Sequence, residues 1–180
     1  LFEEMNIKPI WVKEEDTTLG SVETYEHSKL CADLFKKHAD EIEGILVVLP
    51  NFGEEKCIVD TIKMSGLRVP VLVQAYPDDL DKFNVELRRD SFCGKISVCA
   101  NLRQYGFPYS VTELHTSHLM SESFRNDLVK FTRLCKVVNG LRGARFGAIG
   151  ARPGNFNTVR YSEKIMQLEG MSVTTIDMSE

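Results

Sequence analysis

The chain has 180 residues, 43% hydrophobic and 27% charged, a composition that fits a soluble globular protein with one good-sized core. Its net charge of −4 argues against a nucleic-acid partner or an anionic membrane partner, because both favour a basic surface. The longest uninterrupted apolar run, Ile45–Leu49, is much too short to span a bilayer.

Strand and helix patterns alternate along most of the chain. The strand patterns are short apolar or β-rich runs, and they lie at 7–12, 45–49, 69–73, 109–112, 144–149 and 172–176. The helical patterns lie at 21–38, at 54–65, at 92–105, in a long segment capped by Ser121 or Ser123, and at 157–169. This alternation predicts right-handed βαβ units and an α/β fold with a doubly wound parallel sheet.

A domain boundary is predicted at Leu141-Arg142-Gly143, where a long helix closes one unit and a new β-α-β pattern begins. We therefore predict a first α/β domain at 1–140 and the first β-α-β of a second, Rossmann-like domain at 141–180. The chain opens on what reads as the tail of a helix and stops directly after a strand. We expect it to be part of a longer polypeptide.

The five cysteines are scattered and form no Cys-x-x-Cys pair. Three of them, Cys31, Cys57 and Cys135, fall in helical apolar patterns, where a free thiol acts as a small hydrophobic side chain. This usage predicts a reducing cytoplasm rather than a disulfide scaffold.

Ligands of open parallel sheets bind beyond the carboxyl ends of the strands. Five predicted loops satisfy that rule: 50–54, 76–79, 90–95, 115–118 and 150–155. Their amides, hydroxyls, carboxylates and aromatic rings suit a polyhydroxylated ligand better than a nucleotide. A P-loop at Gly94-Lys95 is excluded because Ile96 stands where its Ser or Thr belongs. A dinucleotide-binding fingerprint is not expected after the strand at 144–149, because Gly147, Gly150 and Gly154 do not have the G-x-G-x-x-G spacing.

Three loop features each allow two interpretations. His115 and His118 could form a metal pair on one helical turn, although a surface or capping role fits their Ser/Thr-rich surroundings better. Cys93 near a helix start could be a nucleophile, or it could line a pocket or be buried. Asp78 is either part of a solvated turn or a contact to a ligand hydroxyl.

Three ordered segments, 44–55, 90–99 and 143–156, resemble segments of the L-fucose and L-arabinose isomerase superfamily. The resemblance extends from about Ile7 to Ser179. It implies a flavodoxin-like, three-layer α/β/α N-terminal domain, followed by a second α/β domain and a C-terminal domain. It also implies an enzyme that interconverts an aldose and a ketose with Mn²⁺, which acts as a Lewis acid on the sugar oxygens.

The resemblance further implies that the Mn²⁺ ligands lie in later domains, so that this chain holds no catalytic or metal-binding residue. It would instead contribute substrate-pocket walls in a homotrimer or homohexamer that binds a monosaccharide. The substrate-binding residues implied are Asn51, Phe52, Ser91, Phe92, Cys93 and Arg152. Cys93 stands where arabinose isomerases carry a histidine, and this departure argues against arabinose as the substrate.

Two alternatives stay open at this point. One is a non-catalytic sugar-binding or regulatory protein that kept the fold. The other is a structural oligomerisation module whose loops serve only an interface.

Overall fold

A computed structural model describes residues 1–150 and 152–179. The chain divides into two compact units, Leu1–Cys135 and Lys136–Glu180, which are described separately below. This division falls inside the fourth helix. The domain boundary predicted near Leu141 stays a prediction.

The first unit contains three parallel strands and the helices that connect them. The strands are β1 (Ile45–Leu49), β2 (Val71–Ala75) and β3 (Ser110–Val111). The helices are α1 (Tyr25–Lys37), α2 (Glu55–Ser65), α3 (Ser91–Gln104) and α4 (Glu122–Leu141), the last of which continues into the second unit. The strand order is β1-β2-β3, and β1 pairs with β2 over five residues, from Ile45 opposite Val71 to Leu49 opposite Ala75.

Helices cover both faces of this sheet because side chains on each strand alternate between the faces. One face packs against α2 and α3 through a core that includes Val73, Val59 and Leu102. The other face packs against α4 through Leu72, Phe124 and neighbouring residues. The first unit is therefore a three-layer α/β/α structure with a parallel sheet, and the predicted fold class is confirmed.

The β-rich run at 7–12 does not form a strand, which corrects the sequence prediction. Pro9 lies inside this run and has no backbone N–H to donate to a ladder. Ile7 instead packs against the α4 core cluster, and Val12 is buried without strand pairing.

Two elements of the first unit have bounds that differ from prediction by two residues or more. The first helix begins at Tyr25 rather than Ser21, because Thr24 has extended backbone and its hydroxyl accepts the N–H of His27. The second strand is Val71–Ala75 rather than 69–73. Pro70 cannot donate to the ladder, although its carbonyl accepts from Ile45 N at 2.8 Å, and fully buried Gln74 continues the strand.

The second unit contains a parallel β-α-β arrangement, as predicted. Its elements are β4 (Arg145–Ile149), α5 (Glu163–Leu168) and β5 (Ser172–Ile176), and β4 pairs with β5 in parallel. The helix is shorter than the predicted 157–169, because a 3₁₀ turn at Asn157–Val159 ends before Ser162 caps a new helix start. Within the described residues, no helix is long and apolar enough to cross a membrane.

Candidate functional site

The carboxyl ends of β1, β2 and β3 lie side by side, and we call this edge the carboxyl edge. Three connections leave it: 50–54, 76–90 and 112–121. Backbone hydrogen bonds join them there, since Tyr76 N donates to Leu49 O at 2.9 Å and Ser117 N donates to Ala75 O at 3.0 Å. Four of the five loops predicted to carry a ligand, 50–54, 76–79, 90–95 and 115–118, therefore meet at one edge of the sheet. The fifth, 150–155, belongs to the second unit.

The Asn51–Phe52 segment lies directly on the first turn of α3. A Cβ at Gly94 would stand 2.8 Å from Phe52 C and 2.9 Å from Phe52 Cα, and it would overlap the carbonyl oxygen. Only glycine allows two backbones to approach so closely. The structure thus brings together Asn51 and Phe52 with Ser91, Phe92 and Cys93, which lie far apart in the sequence.

The side chains of the first α3 turn differ in exposure. Ser91 is completely buried, and its Oγ has no hydrogen-bond partner among the described residues. Phe92 and Cys93 are exposed, as is Phe52. This exposure is compatible with the pocket-lining interpretation of Cys93.

The 76–90 connection is anchored to the start of α3 by Asp78. Its Oδ1 accepts from Arg89 N at 2.7 Å and from Asp90 N at 3.3 Å. Asp90 has a positive φ of 53°, a conformation that needs such support in a residue other than glycine. Asp78 therefore has a structural role that neither sequence interpretation included.

Arg89 links this connection to the neighbouring loop. Its Nη1 donates to Pro50 O at 3.2 Å, and its guanidinium carbon lies 5.0 Å from the centre of the Tyr76 ring. Such a distance suits a cation–π contact.

The rings of His115 and His118 both contact aromatic rings at the carboxyl edge. The His115 ring is stacked on Phe92 with centroids 5.0 Å apart, and the His118 ring meets Tyr76 edge-on at 4.7 Å. His115 therefore belongs to the same cluster as the predicted site residues.

Lys95 is buried beneath this cluster, and the sequence patterns predicted no functional role for it. Its amine donates to Thr112 Oγ1 at 2.7 Å and to His115 O at 2.9 Å. Burial lowers the pKa of the Lys95 amine, while Cys99 and Asp127 oppose this effect by stabilising the charge. A signal was present in the sequence, because Lys95 shares the helical face of Ser91, Val98 and Leu102, which is the core face of α3.

Arg152 lies in the second unit. Its Nη2 donates to Glu163 Oε1 at 2.9 Å, and its guanidinium lies 4.4 Å from the centre of the Tyr161 ring. The adjacent Ala151 lies outside the described residues. The role of Arg152 in sugar binding stays a prediction.

The described residues form no cluster of metal ligands at the carboxyl edge. Within residues 1–150 and 152–179, no group of three or more His, Cys, Asp or Glu side chains could hold a metal ion. A depression of about 480 Å³ follows the surface of α1 and is lined by that helix alone, from Tyr25 to Asp33. A one-helix surface cannot enclose a ligand, so we place the site by the convergence of the loops and not by this depression.

Residues 1–142 match the sequence model of the N-terminal domain of fucose/sulfoquinovose isomerases. The chain belongs to this family. The fucose-isomerase-like resemblance is therefore confirmed for the N-terminal part, and the family is one of sugar isomerases. No curated protein matches the chain significantly.

Proposed function

We propose that this chain forms one wall of the monosaccharide pocket of an aldose–ketose isomerase. Family membership supports the class of reaction. The observation that carries the assignment of the wall is the approach of Phe52 to Gly94, because it assembles the candidate residues of two loops at the carboxyl edge.

The exposed groups at this edge suit a sugar. Phe52 and the Phe92–His115 stack offer apolar ring faces on which the C–H face of a pyranose can pack. The Asn51 amide and the His115 imidazole can exchange hydrogen bonds with sugar hydroxyls. Pockets for small ligands combine these features: apolar walls and a few placed polar groups.

The Mn²⁺ ion implied by the family resemblance does not fit this chain alone, since the described residues offer no ligand set for it. We therefore assign the chain a binding role and no step that involves the metal. The proposal places the metal ligands in later domains and the completed pocket in a homotrimer or homohexamer, with a cytoplasmic location.

Sugar binding is tested by ¹H–¹⁵N NMR of the 180-residue chain titrated with L-fucose and, separately, with sulfoquinovose. We expect one of these sugars to shift the amides of Phe52, Phe92 and Cys93. Phe52→Ala should weaken the response about tenfold, since a stacking ring face and its buried area are lost. Tyr105→Ala is the matched control, because Tyr105 is similarly exposed but lies at the opposite end of α3.

Two results would contradict the proposal. One is the absence of any sugar-dependent shift at the carboxyl edge, either in the chain or in an oligomer of the complete protein. The other is an equal response in wild type, Phe52→Ala and Tyr105→Ala.

A further inference from the structure

The connection from 112 to 118, which we call the 112–118 loop, is held by buried polar side chains from three different elements. Lys95 of α3 donates to Thr112 Oγ1 and to the carbonyl of His115. Asp127 of α4 accepts the backbone N–H of Glu113 at 3.1 Å.

The third support comes from the sheet itself. Gln74 of β2 is completely buried, and its Nε2 donates to Ser117 O at 2.6 Å. Ser117 N in turn donates to the carbonyl of Ala75 at the end of the same strand. The loop is thus fixed near both of its ends and in its middle.

Burying so many polar side chains under a loop that only connects two elements has a large free-energy cost. Burying an ammonium group, a carboxylate and an amide carries a desolvation penalty, and their hydrogen bonds offset it only when the geometry is good. Ordinary loops lie on the surface and move more than the elements they join. Here Lys95 Nζ, Gln74 Nε2 and Asp127 Oδ2 are all paired with the loop, and such buried hydrogen bonds rigidify the segment that they hold. Gln74 Oε1 and Ser117 Oγ have no hydrogen-bond partner among the described residues.

What the fixed loop presents at the surface is the His115 ring. The Lys95 amine donates a hydrogen bond to the backbone carbonyl of His115. The His115 imidazole stacks on the Phe92 ring in the first turn of α3. Phe92 and Lys95 belong to one turn of α3. The hydrogen bond from Lys95 and the stacking on Phe92 therefore fix the His115 ring relative to this helix.

We propose that Lys95 is a positioning residue that holds the 112–118 loop against α3, so that His115 presents its imidazole to a sugar hydroxyl beside the Phe92 ring. This inference rests on the proposed function for the identity of the ligand. The positioning itself is a property of the chain and can be measured without any sugar.

The experiment compares wild type with Lys95→Met, which keeps the aliphatic stem and removes the ammonium group. NOEs between the Phe92 ring and the His115 ring report the stack, and amide shifts in β1 and β2 report the fold. We expect the ring–ring NOEs to fall at least severalfold in Lys95→Met while the strand amides keep their shifts. Thr112→Val removes one acceptor of the Lys95 amine and the hydrogen bond that Thr112 Oγ1 donates to Leu114 O, and it should weaken the same NOEs if Lys95→Met does not fold.

Lys130→Met is the matched control, since Lys130 also binds this loop, through an exposed ion pair with Glu113 at 3.0 Å. Exposed ion pairs contribute little, so the NOEs should be unchanged. Undiminished NOEs in folded Lys95→Met, or in Thr112→Val, would overturn the positioning role.

The contact with sugar is read separately from the L-fucose and sulfoquinovose titrations. Loss of the stack together with about tenfold weaker sugar binding, a size typical of one lost polar contact, would support the full inference. Loss of the stack with unchanged sugar binding would overturn the role of His115 as a sugar contact. If neither the wild-type chain nor an oligomer of the complete protein binds either sugar, that result would count against the proposed function, while the NOEs would still decide the role of Lys95.

Discussion

The backbone of Phe52 lies against the α-carbon of Gly94, in the space that any side chain at position 94 would fill. This contact joins the loop after β1 to the first turn of α3. It is the reason why Asn51 and Phe52 share a surface with Phe92 and Cys93.

Gly94→Ala should displace the Phe52 loop or strain α3. We expect the free energy of unfolding to fall by about 1–3 kcal/mol, the usual cost of overpacking, and the Phe52 amide to shift in NMR spectra. Gly140→Ala is the control, because Gly140 lies in α4 with open space around its α-carbon. That variant should be more stable by about 0.5–1 kcal/mol, since alanine favours helix over glycine. Equal stability of Gly94→Ala and wild type would contradict the close packing.

Asp78→Ala should loosen the connection between β2 and α3. The variant loses the acceptor for Arg89 N and Asp90 N, so trypsin should cleave after Arg88 and Arg89 about tenfold faster, as expected when about 1.4 kcal/mol of local stability is lost. Limited proteolysis followed by mass spectrometry measures the rate. Asp81→Ala changes an exposed carboxylate of the same connection and should leave the rate near that of wild type.

Cys93 should react first with iodoacetamide. It is exposed, whereas Cys31, Cys57 and Cys135 are buried and Cys99 is partly buried. Mass spectrometry of the native chain should show a single fast addition, and Cys93→Ser should remove it. A first modification at any other cysteine would show that the α3 start is covered in solution.

Stability should decline at alkaline pH because of two buried thiols. Burial raises the pKa of Cys31 and of Cys135 from 9.0 to about 11. Above pH 9 the unfolded thiols lose their protons while the folded ones retain theirs, so the unfolded state is increasingly favoured until about pH 11. The stability that the two buried thiols contribute is fully present below pH 9 and is lost as the pH rises from 9 to about 11.

The expected slope is about 1 kcal/mol per pH unit for each thiol, measured by urea unfolding between pH 8.5 and about 10.5. The Cys31→Ala/Cys135→Ala double variant should have a shallower slope than wild type. Cys93→Ala, which replaces an exposed cysteine in the same way, is the control variant. Identical slopes in all three proteins would mean that the buried thiols do not titrate as described.

Much of the fold followed from local sequence patterns. The apolar run Ile45–Leu49 forms β1 with the predicted bounds, and β5 at Ser172–Ile176 does the same. Gly66 ends α2 with a φ of 71°, and Ser121 Oγ accepts the N–H of Phe124 at the start of α4. These signals are reliable because they depend on a few neighbouring residues.

The errors have a different origin. The run at 7–12 contains β-forming residues, but no neighbouring strand pairs with it among the described residues. Strand β2 starts two residues late and ends two residues later than predicted, because pairing with β1 and burial at the sheet centre decide its limits. Strand pairing is non-local, and a single sequence does not show it.

Patterns in the sequence predicted the alternation of strands and helices, the α/β class and the loops that could carry a ligand. Three short segments indicated the family. Each of these predictions follows from periodicity, turn residues or short motifs that can be read in one stretch of chain. The folded structure was needed to show which loops meet and that the backbone of Phe52 contacts Gly94. It also showed that Lys95, on the core face of α3, donates a hydrogen bond to the His115 carbonyl. Those facts depend on side chains and backbones that are 17 to 42 residues apart and are brought together by packing, which no local pattern specifies.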